Sequence, residues 1–457
     1  MQTWAARELQ TLDLGDARRT RRVHHLVDGL VARPQASLPD ACQTWAASKA
    51  AYRLLDNPAV TPEAIRAAHV DATVARLAGQ ARVLVVQDTT SLDYSQHPVT
   101  QGLGPLEHPA SRGLKVHSAL TVSVAGVPYG LAWQHVWVRD PAAVGQRHQR
   151  RQRATADKES QRWLAGVVGS EAVIPPEIAL VTIADREADL YDLFALPRRA
   201  GHDLLIRAAQ DRTLADATEP LWATAQAGTR LGVHTVTVGR RPDQPIRTAT
   251  LTVRVAAVQL APPVHHRQRA SCLSIPVWAI WAEEEQPPAG CAAVHWLLLT
   301  TLPVTTADEA RTCLGWYAVR WLIERYHFVL KSGCRIEALQ LATAARLERA
   351  LALYSIVAWR LLWLTYLARQ TPDAPCTVAL APAAWQALWC AHHQTPTLPD
   401  TPPTLAEAVR WIARLGGFLG RTGDGAPGVK VLWRGLQHLD DLTAMYTLLH
   451  PAAQTCG

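Results

Sequence analysis

Two short, unbroken apolar runs constrain this chain most: Arg82-Val83-Leu84-Val85-Val86 and Ile178-Ala179-Leu180-Val181-Thr182-Ile183-Ala184. Both are rich in β-branched residues, and neither alternates with polar side chains. That is the pattern of strands buried on both faces. Between the runs lie a hairpin, 120–124 with 130–138 around Ala125-Gly126-Val127-Pro128, and a helical stretch over 157–168. Strand, hairpin, helix, strand predicts a mixed α/β sheet. The first run stops at Gln87-Asp88-Thr89-Thr90 and the second at Asp185. In α/β sheets the carboxyl ends of strands gather ligands and catalytic groups. Two acids delivered there from separate segments could share divalent metals, because Mg²⁺ prefers oxygen ligands. Taken singly, either aspartate reads as a turn or cap residue.

Helical patterns flank this block. Residues 1–68 read as a basic helical unit in which Arg18, Arg19, Arg21 and Arg22 fill four of five positions. Arg18 and Arg22 share a helix face, which suits either solvent or a polyanion. A second helix over 43–56 stops at Asn57-Pro58, and Thr61-Pro62-Glu63 opens a third. From about 200 to 302 strand follows strand with no long helix, which predicts an antiparallel β-rich insertion. Thr306-Ala307-Asp308-Glu309 is a capping box for a long helix. A second apolar helix is expected over 341–368. Arg360 in the middle of its apolar stretch argues for burial in protein rather than a membrane span. The tail from 369 opens with low-periodicity, Pro-containing sequence and closes with helices at 405–415 and 436–449.

The charge balance is +7, from 46 Lys+Arg against 39 Asp+Glu, and only five of the basic residues are lysine. A nucleic-acid partner and an Arg-rich codon usage both account for that surplus. Eight cysteines without paired spacing exclude a zinc or disulfide framework and point to a reducing cytosol. The first residues lack a secretory pattern, so a cytoplasmic location without membrane attachment is expected. His117, His135 and His327 show no metal-type spacing and read as structural or DNA-facing.

On the helix from Thr306, the residues Tyr317, Arg320, Glu324 and Lys331 fall within a stripe about 60° wide on an ideal helix. Leu322, Ile323, Tyr326, Val329 and Leu330 lie opposite and suit a core. A carboxylate flanked by Tyr, Arg and Lys reads as a metal ligand with phosphate-gripping neighbours. An exposed salt-bridged face, with Arg320 and Glu324 as an i,i+4 pair, is the other reading.

The spacing Tyr317-x2-Arg320-x3-Glu324-x6-Lys331 resembles the Y-(2)-R-(3)-E-(6)-K signature of the insertion-sequence-four family of bacterial DDE transposases. Further likeness lies in Leu14-Gly15-Asp16, Ala51-Tyr52-Arg53, Asn57-Pro58, Asp88-Thr89-Thr90-Ser91-Leu92 and Lys158-Glu159-Ser160. It continues in Asp185-Arg186-Glu187-Ala188-Asp189, Trp296-Leu297-Leu298-Leu299-Thr300 and Ala413-Arg414-Leu415-Gly416-Gly417-Phe418. These motifs run in order along nearly the whole chain.

The resemblance implies a helical DNA-binding domain at 1–68 and an RNase H-like catalytic domain at 69–368, interrupted by the insertion at about 200–302. A helical dimerisation domain follows at 369–457. It implies Asp88, Asp185 and Glu324 as a catalytic triad holding two Mg²⁺, with Mn²⁺ as a substitute. One metal would activate the attacking oxygen and the other would stabilise the leaving 3′ oxygen. Tyr317, Arg320 and Lys331 would hold phosphates beside the scissile bond. Trp296, assisted by Trp321, would stack a flipped base. Arg18, Arg19 and Arg22 would grip the transposon end and Arg207 a phosphate. The implied activity is cut-and-paste transposition by a homodimer in the bacterial cytoplasm, associated with the nucleoid. Terminal inverted repeats of double-stranded DNA would be nicked, released through a hairpin and joined by their 3′-OH ends to target DNA. The family pattern places a second lysine where this chain has Phe328. Apart from Met1 the only methionine is Met445, so a shortened form begun at an internal Met is not encoded and a Val or Leu start is the alternative. A catalytically silent end-binding regulator is the alternative. A stand-alone RNase H-like nuclease fits the helical flanks poorly.

Overall fold

The computed structural model describes residues 3–143, 158–238, 246–266 and 269–450. The basic tract of Arg147, Arg150, Arg151 and Arg153 lies outside the described residues. Five helices open the chain: α1 (Trp4–Glu8), α2 (Ala17–Ala32), α3 (Leu38–Cys42), α4 (Trp45–Asp56) and α5 (Pro62–Arg76). Thr3, Asp16, Ser37, Thr44 and Thr61 cap them, each side-chain oxygen accepting a first-turn N–H that has no partner within the helix. α2 buries Val23, Leu26, Val27 and Leu30, which turns Arg18, Arg21 and Arg22 outward. α1 is pinned to α5 by the buried Glu8 carboxylate, 2.6 Å from His69 Nδ1 and accepting from Arg76 at 2.7 and 3.0 Å. Burial works to raise the Glu8 pKa, but the His69 and Arg76 contacts hold it below its ordinary value.

The central block carries β1 (Arg82–Asp93), β2 (Gly104–Pro105), β3 (Arg112–Ser123), β4 (Pro128–Trp137), α6 (Gln161–Val173), β5 (Ala179–Ala184), α7 (Tyr191–Ala195) and β6 (His202–Arg207). Then come α8 (Leu221–Gln226), β7 (Thr229–Val238), β8 (Arg247–Leu260), β9 (Ile275–Glu283) and β10 (His295–Thr300). All the strands join one sheet in the order β2-β3-β1-β5-β6-β10-β9-β8-β7, with β4 on β3. β1 pairs in parallel with β5, and β5 with β6; the other pairings are antiparallel. The mixed α/β sheet expected from the sequence is present. β5 is buried along five consecutive residues, as an interior strand must be.

Two expectations change. β1 does not stop at Gln87 but runs on to Asp93, because β3 pairs with it as far as Asp93–Gly113. The strand is longer than its apolar run because past Val86 only one neighbour remains. The strands over 200–302 are also not all antiparallel. β6 is a parallel partner of β5, and β10 returns beside β6, so the later strands extend the same sheet.

Helices resume with α9 (Ala307–Val319) and α10 (Trp321–Phe328), a π-turn at Val329–Gly333, and α11 (Ala344–Gln370); α12 (Pro382–His393), α13 (Leu405–Leu415) and α14 (Val429–Leu449) close the chain. The capping box at Thr306 and Glu309 forms. α12 stands in the stretch read as irregular; its proline occupies the first turn, where the missing N–H costs nothing. Among the described residues α11 is the one helix long and apolar enough to cross a membrane, and it is mostly buried in the protein. The Arg360 guanidinium sits 4.2 Å from the Trp4 ring, and burial lowers its pKa to about 10. The expected boundaries at 68/69 and 368/369 fall inside α5 and α11.

α13 and α14 meet backbone to backbone. A Cβ on Gly435 would stand 1.8 Å from the Ile412 carbonyl oxygen, and one on Gly416 1.9 Å from that of Val431. Helix propensity alone favours alanine over glycine by ~1 kcal/mol. The clash is with main chain, so Gly435→Ala is expected to destabilise the protein by about 1–3 kcal/mol. Equilibrium denaturation checks it, and a stabilised variant would contradict the close crossing.

Candidate active site

Asp88 and Asp185 are brought together by strand register. β1 and β5 pair from Arg82–Ala179 to Val86–Ile183, and each acid stands two residues beyond that last pair. Parallel neighbours lie about 4.8 Å apart, and residues i and i+2 share a face. The two carboxylates therefore leave adjacent strands at one level on one side of the sheet. Asp185 caps a short 3-10 turn, Arg186–Ala188, through the Glu187 N–H at 2.9 Å. Asp88 accepts from the Thr89 N–H at 2.7 Å.

α10 packs over β1 and supplies the third acid. Arg320 Nη2 donates to Glu324 Oε1 at 2.6 Å, with the Arg320 side chain 13% exposed and that of Glu324 31% exposed. Burial raises the Asp88 pKa from 3.8 to about 7; the Thr89 N–H and Arg320 oppose this, while Asp185 and Glu324 add to it. Asp88 thus lies near enough to Asp185 and to Glu324 to feel the charge of each. Burial acts against the Arg320 charge, yet Tyr317, Glu324 and Asp88 leave its pKa raised.

The four-residue stripe is only partly assembled. The backbone is interrupted at Arg320, between α9 and α10, and again in the π-turn holding Lys331. Tyr317 is buried, its ring edge-on to Trp296 with centroids 5.4 Å apart. Lys331 Nζ lies 3.4 Å from Glu337, itself an acceptor for the Asp93 N–H. Trp321 is 63% exposed, and the Arg320 guanidinium lies 5.9 Å from its ring. Leu322, Ile323, Tyr326, Val329 and Leu330 are buried as expected. Phe328 packs on Trp433 with ring centroids 5.8 Å apart. Arg207 donates to the His295 carbonyl at 2.9 Å, a bond within the sheet. Arg18 pairs with Asp16, and Arg19 donates to the Leu14 carbonyl at 2.8 Å, whereas Arg22 is exposed.

Four contributors carried no sequence signal strong enough to assign them. Arg162 of α6 donates to Thr89 Oγ1 and to Glu187 Oε2, each at 2.7 Å, and so ties the residue after Asp88 to the turn after Asp185. Lys158-Glu159-Ser160 marked this helix start, and Glu159 turns out to grip Arg139. His327 Nδ1 stands 3.9 Å from Asp88 Oδ2, and burial lowers its pKa to about 3, so it is neutral there. His117 Nδ1 lies 2.8 Å from Thr89 Oγ1. Asp189 is buried against Arg212 at 2.6 and 3.1 Å and accepts the Ala209 and Gln210 N–H groups, which fixes the segment after the turn.

Residues 1–60 match the family described as transposase DNA-binding. Residues 356–446 match the transposase Tn5 dimerisation domain, and the two matches together support a Tn5-like transposase. Membership of the insertion-sequence-four family is consistent with both matches. Asp88, Asp185 and Glu324 lie in the stretch between them.

Asp88 should carry a stability signature. Its pKa is higher folded than unfolded, so below about 3.8 both states are protonated and nothing is lost. Between 3.8 and 7 the unfolded state ionises first, and stability falls as pH rises through that window. Without divalent cations, Asp88→Asn is therefore expected to be more stable than the parent at pH 8, by on the order of 3 kcal/mol. The gain should vanish near pH 4, and a pH-independent difference in denaturation midpoint would contradict it.

Proposed function

We propose that this protein is a DDE transposase that binds the inverted-repeat ends of its own element as a homodimer, cuts there and joins the freed 3′-OH ends to target DNA. The single observation carrying this is the strand register that puts Asp88 and Asp185 side by side under the helix bearing Glu324, with Arg320 within charge range of Asp88 and Glu324. The two family matches support DNA contact by the N-terminal helices and self-association through the C-terminal ones. The strand order β4-β3-β1-β5-β6, antiparallel then parallel, supports an RNase H-like core at 69–368, with the later antiparallel strands as its insertion.

The donor chemistry suits Mg²⁺ or Mn²⁺. Three carboxylates offer hard oxygens, and Mg²⁺ is commonly held by one or two carboxylates with waters and substrate phosphate completing the shell. Bound there, a pair of such ions would supply Lewis acidity to the scissile phosphate and lower the pKa of an attacking water or 3′-OH. Asp88, Asp185 and Glu324 would hold them. Arg320, already aimed at the carboxylate cluster, has the forked geometry to grip a non-bridging phosphate oxygen. Lys331 would add a point charge at the edge of the site. Trp296, supported edge-on by Tyr317, and the exposed Trp321 offer faces for an unstacked base. Successive attack by water and 3′-OH, through a hairpin, follows the family course.

Among the described residues no three His, Cys, Asp or Glu side chains already form a cation cluster. That observation favours the second reading, an end-binding regulator without catalysis. Duplexes carrying the element's terminal repeats separate the two. The transposase nicks them in Mg²⁺ or Mn²⁺, whereas end binding with no nick in either metal would overturn catalysis. Glu324→Gln is expected to slow nicking by ~10³-fold or more while end binding stays within about 3-fold. Loss of both would make Glu324 a folding residue.

Arg18→Ala combined with Arg22→Ala is expected to weaken end binding. The slope of log K against log salt should fall by roughly one unit per lost phosphate contact. An unchanged slope would leave these arginines facing solvent only.

A further inference from the structure

A second cluster with reactive geometry lies away from the acids, where the loop between β8 and β9 meets α7. Three backbone hydrogen bonds between described residues run along this loop. His266 N–H donates to the Pro263 carbonyl at 2.9 Å, Arg269 N–H to that of His266 at 3.1 Å, and Cys272 N–H to that of Arg269 at 3.2 Å. This winding brings side chains six residues apart into contact, and Cys272 Sγ lies 3.4 Å from His266 Nδ1. The other ring nitrogen, Nε2, lies 2.8 Å from Asp192 Oδ1 on α7. Tyr191, next to Asp192, donates its hydroxyl to the Leu273 carbonyl at 2.5 Å and sets its ring edge against His266, with centroids 5.6 Å apart. The loop is thus tied to α7 on both sides of the cysteine.

We propose that Cys272 is an activated thiol and a site of covalent modification by small disulfides or soft electrophiles, with His266 as its base and Asp192 as the orienting acid. Asp192 sets the tautomer. A carboxylate acceptor at Nε2 keeps the proton on that nitrogen, and Nδ1 then faces the thiol with its lone pair. Proton transfer from Sγ to Nδ1 gives a thiolate beside an imidazolium stabilised by the carboxylate, the arrangement by which histidine activates a nucleophile. Cys272 is half-buried, so a small reagent can reach it. With a disulfide R–S–S–R the thiolate attacks one sulfur, and a mixed disulfide forms at Cys272. The S–S bond breaks, and the leaving thiolate takes the proton held at Nδ1, so no other oxidant or reductant is consumed. Among the described residues the other half-buried cysteines are Cys42, Cys291 and Cys390, and they serve as internal references.

The test uses the full-length chain and limiting iodoacetamide near pH 7, with labelling at each cysteine resolved by mass spectrometry. Cys272 is expected to react ~10-fold or more faster than Cys291 and Cys390. His266→Gln should bring its rate down to that of the references, and Asp192→Asn should lower it partway. Incubation with oxidised glutathione should add one glutathione moiety at Cys272 first. Circular dichroism and the melting temperature report whether either variant disturbs the fold. If one does, the labelling rates of the parent protein alone decide. A Cys272 rate matching Cys291, or a rate unchanged in a folded His266→Gln variant, would overturn the proposal.

Discussion

Everything at the acid cluster depends on the parallel ladder between β1 and β5. Parallel pairing of neighbouring strands requires a crossover connection, and here the crossover contains the β3–β4 hairpin and α6. The same pairing fixes register, and a slip of one residue would turn Asp185 to the opposite face from Asp88. The apolar residues behind the acids are therefore as much a part of the site as the acids. Val83 to Val86 and Leu180 to Ile183 are fully buried, and their burial holds both strands in the one register that presents two carboxylates together.

Bringing like charges together is costly, and the surrounding structure shows how the cost is offset. Arg320 sits within reach of both Glu324 and Asp88. Arg162 does not neutralise an acid of the cluster. It clamps the backbone segments on either side by joining Thr89 to Glu187, so the strands cannot splay apart under the repulsion. The buried Asp189–Arg212 pair secures the chain just beyond the turn. Burial, with the charges of Asp185 and Glu324 adding to it, leaves Asp88 with a carboxyl that retains its proton far more readily than an ordinary aspartate. A site that leaves residual strain of this kind has free energy to recover when an opposite charge arrives.

Periodicity revealed most of the elements. Continuous apolar runs gave the interior strands, and capping residues marked the helix starts, Thr61 and Thr306 among them. The acids were legible because they end or interrupt such runs. The continuous stripe from Tyr317 to Lys331 was less so, since an ideal-helix projection cannot register the break at Arg320 or the π-turn before Cys334. Tyr317 lies in the core and Lys331 turns to Glu337. The partners in space were not legible at all. Arg162 stands 73 residues from Thr89, and nothing in local pattern links them. The same holds for His327 at Asp88 and for the extension of one sheet through β10, which rests on long-range pairing.

The basic surplus now divides by environment rather than by count. Arg76, Arg162, Arg212, Arg320 and Arg360 face inward, onto carboxylates, carbonyls or aromatic rings, and their charge is used within the fold. Each contact exploits the planar, multi-donor guanidinium, which a lysine could not reproduce. Arg18, Arg21 and Arg22 project from the first long helix with few internal partners and keep their charge for a ligand. The scarcity of lysine therefore carries structural information that net charge conceals. An arginine-rich chain can place part of its positive charge in its own interior, so +7 says less about DNA than the positions of the arginines left outside do.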